Sequence, residues 1–185
     1  MKKIIIAAMA AIGFTTVANA QSNASGNAQQ TVQLALSNAL EITFTSNGSA
    51  TGATVSIPFT SVDDYANGVE SSAQQIKIRS NKNFGVTVNT SAAYFSVTNS
   101  GVTTTSTMPT SVLGVEVSAN GTGGSIASGF SASAYNDLSA SAANLIDNAS
   151  RGGNQTFSVK YKATPGFAYA AGTYATDVVY TATQQ

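Results

Sequence analysis

Hydrophobic residues recur at every second position over much of this chain, the spacing that places them on one face of a β-strand. In TVQLALSNALEITF, residues 31–44, the even positions are Val32, Leu34, Leu36, Asn38, Leu40, Ile42 and Phe44, and only Asn38 is polar. The run exceeds the usual five or six residues of a strand, so Asn38 marks a break or a switch between two sheets. Val55, Ile57 and Phe59 alternate next, with Pro58 indicating an edge strand or a strand end. Ile76 and Ile78 alternate with Lys77 and Arg79. After the turn-like SNKN, Phe84, Val86 and Val88 resume the pattern, which predicts a hairpin over 74–89. Tyr94–Thr98 and Val112–Ser118 are weaker strands, whereas Phe157, Val159 and Tyr161 alternate clearly with Ser158, Lys160 and Lys162. The final AAGTYATDVVYTATQQ, residues 170–185, sets Tyr174, Val178 and Tyr180 on one face of a closing strand. Seven to nine short strands with polar turns between them predict an all-β domain, an antiparallel β-sandwich.

Four stretches depart from that pattern. Lys2 and Lys3 precede a short apolar run from Ile4 to Val17, and Ala18-Asn19-Ala20 offers a small-x-small cleavage site, so residues 1–20 read as a secretory signal peptide. The run is shorter than the ~20 residues that span a bilayer, so no membrane span is expected in the mature chain. Residues 21–30, QSNASGNAQQ, are polar and aperiodic and read as a flexible leader, which leaves 31–185 as a single β-sandwich domain. NGTGGSIASG, 120–129, reads as a mobile loop by composition. In NDLSASAANLIDNASRGG, Leu138, Ala142, Leu145 and Ile146 fall near helical spacing with Asp137 as an N-cap. That spacing fits one short helix near 138–148 or an irregular crossover between sheets.

Composition narrows the function. Charged residues make up 9% of the chain, far below the ~25% usual in soluble domains. Hydroxyl and amide side chains take their place, a surface suited to packing against copies of the same protein or against glycans. Without Lys2 and Lys3, six basic residues face eight acidic ones, a balance opposed to a nucleic-acid partner. Export would place the protein in the periplasm, at the cell surface or outside the cell, where disulfides form, yet there is no Cys. There is also no His, so the commonest general base and the strongest nucleophile are both missing, and no His/Cys zinc site can be built. No cofactor motif occurs, and neither a GxSxG elbow nor a P-loop is present. The reading is non-enzymatic.

Three local features remain as candidates. DDYANG, Asp63–Gly68, brings two carboxylates, an amide and a glycine together, either as a solvated turn or as oxygen ligands for calcium with Glu70 nearby. Lys77, Arg79 and Lys82 gather half of the mature basic residues, as an anionic-glycan patch or as the solvated face of a strand guarding against foreign pairing. Val32, Leu34 and Leu36, behind the leader, have the alternation that a strand exchanged between subunits requires. The competing expectation is that 31–44 forms the first strand of its own domain, switching sheets at Asn38.

The closing AGTYATDVVYTAT resembles the last strand of secreted bacterial β-sandwich families, among them the spore coat protein U domain shared with archaic chaperone–usher pilins and, more distantly, the WxL-type surface domain. The opening TVQLALSNALEITF is similar to the starts of these domains, and Gly172, Thr173, Tyr174 and Asp177 carry the match at the other end. Asp177 stands one position later than in the pilin-like pattern. The chain lacks the Cys pair common in such pilins, and it lacks the Trp of the WxL motif, so peptidoglycan anchoring does not carry over. The resemblance implies an immunoglobulin-like or pilin-like sandwich that is incomplete and polymerises by donating an N-terminal strand. The leading expectation is a secreted structural subunit of a fibre or matrix, self-associating through strand edges. The alternative is a monomeric adhesin-like module that binds glycan or another surface component.

Overall fold

The structure, a computed structural model, describes residues 26–131 and 134–185. The expected signal peptide, 1–20, and the first part of the leader lie outside the described residues. The chain divides into two units, Met1–Ala35 and Leu36–Gln185. In the first, residues 26–35 belong to no helix or strand and are exposed throughout.

The second unit is all-β, with thirteen strands among the described residues: β1 (Leu40–Phe44), β2 (Val69–Glu70), β3 (Gln74–Ser80), β4 (Phe84–Thr90), β5 (Tyr94–Asn99), β6 (Val102–Pro109), β7 (Leu113–Asn120), β8 (Ser125–Ile126), β9 (Asn136–Asp137), β10 (Ala143–Ala149), β11 (Gly152–Ala163), β12 (Thr173–Ala175) and β13 (Val178–Gln184). The count exceeds the expected seven to nine because β2, β8, β9 and β12 are two- or three-residue pairings that alternation cannot reveal. All pairing is antiparallel. One sheet runs β1-β3-β11-β7-β9, with β2 also on β11; a second runs β13-β4-β10-β8; a third runs β12-β5-β6.

Alternation explains the core. Ile76 and Ile78 on β3, Val115 and Val117 on β7, and Phe157, Val159 and Tyr161 on β11 line the inner face of the first sheet. Phe84, Val86 and Val88 on β4, with Leu145 and Ile146 on β10, come from the second. Each such side chain contributes about 1.5–3 kcal/mol on full burial, which makes this layer the main source of stability in a fold without disulfides.

Several sequence expectations need correction. The strands over 74–89 exist, but β3 and β4 do not pair; they belong to different sheets, and residues 81–83 arch between them. Both faces of apolar residues then meet across the interior, whereas a hairpin would lay the two strands edge to edge in one sheet. The arch is held locally by the Ser80 hydroxyl, which donates to the Lys82 carbonyl at 2.6 Å. The helix expected near 138–148 is strand β10, and Ala142 is exposed. The adjacent Leu145 and Ile146 are both buried because the β10–β4 register slips on either side of Ile146, a bulge that imitates helical spacing. The 120–129 stretch is a built turn, not a loose loop: Thr122 is fully buried, and its hydroxyl donates to Asn120 Oδ1 at 2.7 Å. Gly124 is required there, since a Cβ would stand 2.5 Å from the Asp147 carbonyl oxygen. The closing strand is two strands, because β12 belongs to the third sheet and β13 to the second. Tyr174, Val178 and Tyr180 nevertheless all turn toward the core as their spacing indicated.

Candidate functional site

Strand β1 starts only at Leu40, so the break expected at Asn38 falls where the alternating run leaves the sheet. Asn81, read from the sequence only as part of the SNKN turn, fixes this exit. Its side-chain oxygen accepts from the Ala39 N–H at 2.9 Å, its amide donates to the Ser37 carbonyl at 2.8 Å, and its own N–H bonds the Ala39 carbonyl. Gln184 near the end of β13 donates to the same Ala39 carbonyl at 2.8 Å. Before this clamp, Val32, Leu34 and Leu36 are 78%, 81% and 88% exposed and belong to no strand. Isolated apolar residues on a surface need no explanation, but these three are exposed together and recur at every second position.

On one side of the sandwich both large sheets end. Strand β1 pairs within its sheet only with β3, and β13 pairs only with β4, so each is the last strand of its sheet. The two are neighbours across the layers: the Phe44 and Tyr180 rings meet edge-on at 6.4 Å, and Tyr180 meets Phe157 at 6.1 Å. Inward residues on central strands are sealed, whereas Ile42, Phe44, Val178, Tyr180 and Ala182 on these two edges are only partly buried. The Tyr180 hydroxyl reaches the Tyr161 hydroxyl at 2.8 Å inside the sandwich. Burial pushes both phenols above their ordinary range, most strongly Tyr180, to which the Tyr161 partner adds.

The expected strand at 55–59 does not pair. Gly52 packs on the Phe44 ring, and Val55 and Ile57 then turn alternately onto the core. Among the described residues no hydrogen bond engages the backbone of 53–59. Pro58 removes one donor from any ladder here.

The other candidates resolve differently. Asp63–Gly68 is not a turn: Val62–Asn67 forms a short helix, α1, capped by Ser61 and Asp64 in a reciprocal capping box. The Asp64 carboxylate accepts from the Thr60 N–H at 2.6 Å and the Ser61 N–H at 2.8 Å, which hold its pKa below the ordinary aspartate value. Two carboxylates in the first turn of α1 also suit the positive end of the helix. Among the described residues no three acidic side chains converge as metal ligands. Of the basic group, Lys77 and Arg79 lie on the outer face of β3, and Lys82 sits in the arch beyond it. Arg79 is ion-paired to Glu41 on β1. The charge nearest the open edge is thus partly neutralised. Two shallow hollows occur elsewhere. One, about 240 Å³, lies beside Gly114, Tyr135, Asp137 and Lys162. There the Tyr135 hydroxyl is pushed up to about 12 by burial and by the charges of Glu116 and Glu70. The other, about 300 Å³, lies beside Tyr94, Ser96, Thr105 and Asp177. Among the described residues no helix is long and apolar enough to cross a membrane. No protein-family model matches the chain, and no curated protein matches it.

Proposed function

We propose that this chain is an exported, non-enzymatic subunit of a fibre or extracellular matrix, and that residues 31–36 of one copy complete the open side of another. The observation that carries the reading is a complementary pair: an exposed alternating triad, Val32, Leu34 and Leu36, and a terminal strand, β13, with one unpaired edge over partly buried inward residues. Added beside β13, such a segment gains main-chain hydrogen bonds, while its alternate side chains enter between the layers. Burying three aliphatic side chains yields about 4–9 kcal/mol, comparable with the ~4–15 kcal/mol that association costs, so the hydrogen-bond ladder decides the balance. Donation from copy to copy is head-to-tail, and it builds a filament where the rotation between copies does not close a ring.

Light scattering and negative-stain microscopy of the chain from Gln21 test this, with Val32/Leu34/Leu36→Ser as the comparison. Regular polymers from the wild type and folded monomers from the variant are expected. A folded wild-type monomer at all concentrations would overturn the reading. A second reading, a glycan-binding module, draws on one observation: the Tyr65 ring stacks on Phe167 at 5.7 Å and meets Phe59 tilted at 5.2 Å, and Phe167 is 67% exposed. Loss of glycan retention in Phe167→Ala, with fold intact, would favour it.

A further inference from the structure

The third sheet ends on β6, and among the described residues nothing pairs with its outer edge. The free stretch is Val102–Thr107, VTTTST, in which every residue except Ser106 is β-branched and every residue except Ser106 is exposed. Soluble proteins blunt such edges with Lys, Pro, a bulge or a covering loop, because open main-chain groups recruit foreign strands. Among the described residues no Lys, Pro or covering loop guards the stretch, and the only irregularity, a register slip at 106–108, leaves Val102–Thr105 regular. Pro109 comes after the stretch. By contrast β1 carries the Glu41–Arg79 ion pair, and 53–59 contains Pro58.

We propose that Val102–Thr107 pairs antiparallel with the same segment of a second copy about a two-fold axis, joining two three-stranded sheets into one. Three observations select a second copy as the occupant. A two-fold axis sets each charge near its own copy, and β5, β6 and β12 contain no charged residue at all. The pairing chemistry is already present on the inner edge of β6, where the Thr98 and Thr103 hydroxyls meet at 2.8 Å and Ser96 stands opposite Thr105. A self-pair repeats that Thr-on-Thr contact, which favours cross-strand association. The exposed length is that of an ordinary strand, about six residues. The contact is isologous and closes as a pair. It does not depend on strand donation and, where filaments form, it joins them side by side.

The chain has no Cys, so single-cysteine variants report the contact directly. A residue and its copy are separated by twice the residue's distance from the axis, at about 3.4 Å per residue, so two positions off the axis lie near 14 Å, beyond disulfide reach. Val102→Cys through Thr107→Cys, one at a time, would be oxidised in the wild-type chain from Gln21 and in the Val32/Leu34/Leu36→Ser chain. Disulfide dimers should peak at one or two adjacent positions and fall off on both sides. Thr103→Lys added to the peak variant, or Thr105→Lys where the peak is at 103, should weaken dimerisation about tenfold by setting like charges near the axis. A flat profile, or no dimer at any position, overturns the proposal. A sharp peak without filaments keeps it while strand donation fails; filaments with a flat profile give the reverse.

Discussion

Tyr161 and Tyr180 show what single side chains contribute here. Each phenol is the other's partner inside the sandwich, so Tyr180→Phe leaves the Tyr161 hydroxyl buried without one. A cost of about 1–3 kcal/mol is expected from denaturant unfolding, and adding Tyr161→Phe should cost less than the sum of the two single changes. Both phenols are raised above their ordinary value of 10.0, so their contribution is fully present below about pH 10 and is lost as pH rises through the folded values. Circular dichroism against pH should show an alkaline transition that the double Phe variant shifts upward. Asp64 has the opposite sign. Its pKa is depressed by the Thr60 and Ser61 donors, so the α1 cap is intact above the ordinary aspartate value and is lost as pH falls through the folded one. Ser61→Ala should destabilise α1 by about 1 kcal/mol, read as faster amide exchange over 62–67. The inward aliphatics were legible because period two is a local signal. The Tyr pair and the Asn81 clamp were not, since their partners lie 19 and up to 103 residues away in sequence.

At the scale of elements, alternation found the strands and missed their partners. β3 and β4 read as a hairpin because a short polar turn joins them, and the same turn serves equally as an arch between layers. The β10 bulge mimicked a helix by burying two consecutive residues. Residues 31–44 read as one long run, yet only Leu40–Phe44 is a strand, because Asn81 and Gln184 claim the backbone at Ala39. The consequence is measurable. Val32, Leu34 and Leu36 are exposed, so their replacement by Ser should change the unfolding free energy of the monomer by no more than about 0.5 kcal/mol. Replacing the buried Ile76, Ile78 or Val86 by Ser should unfold the domain or cost several kcal/mol.

For the whole molecule, the fold is a cysteine-free sandwich with a sealed centre and one partly buried side, where β1 and β13 are terminal strands. The low charge fits the same picture, because a surface of hydroxyls and amides allows copies to approach closely. The most direct measurement is disulfide trapping between two differently tagged chains, one carrying Ala35→Cys and the other Thr181→Cys. Ala35 alternates with the apolar triad, between Leu34 and Leu36, and Thr181 lies on the outward face of β13, so neither change touches the residues that would fill the interior. Strand donation predicts mixed disulfides that carry both tags and that disappear when Val32/Leu34/Leu36→Ser is added to the Ala35→Cys chain. Trapping equal in the presence and absence of the triad, or no mixed disulfide at all, would contradict it.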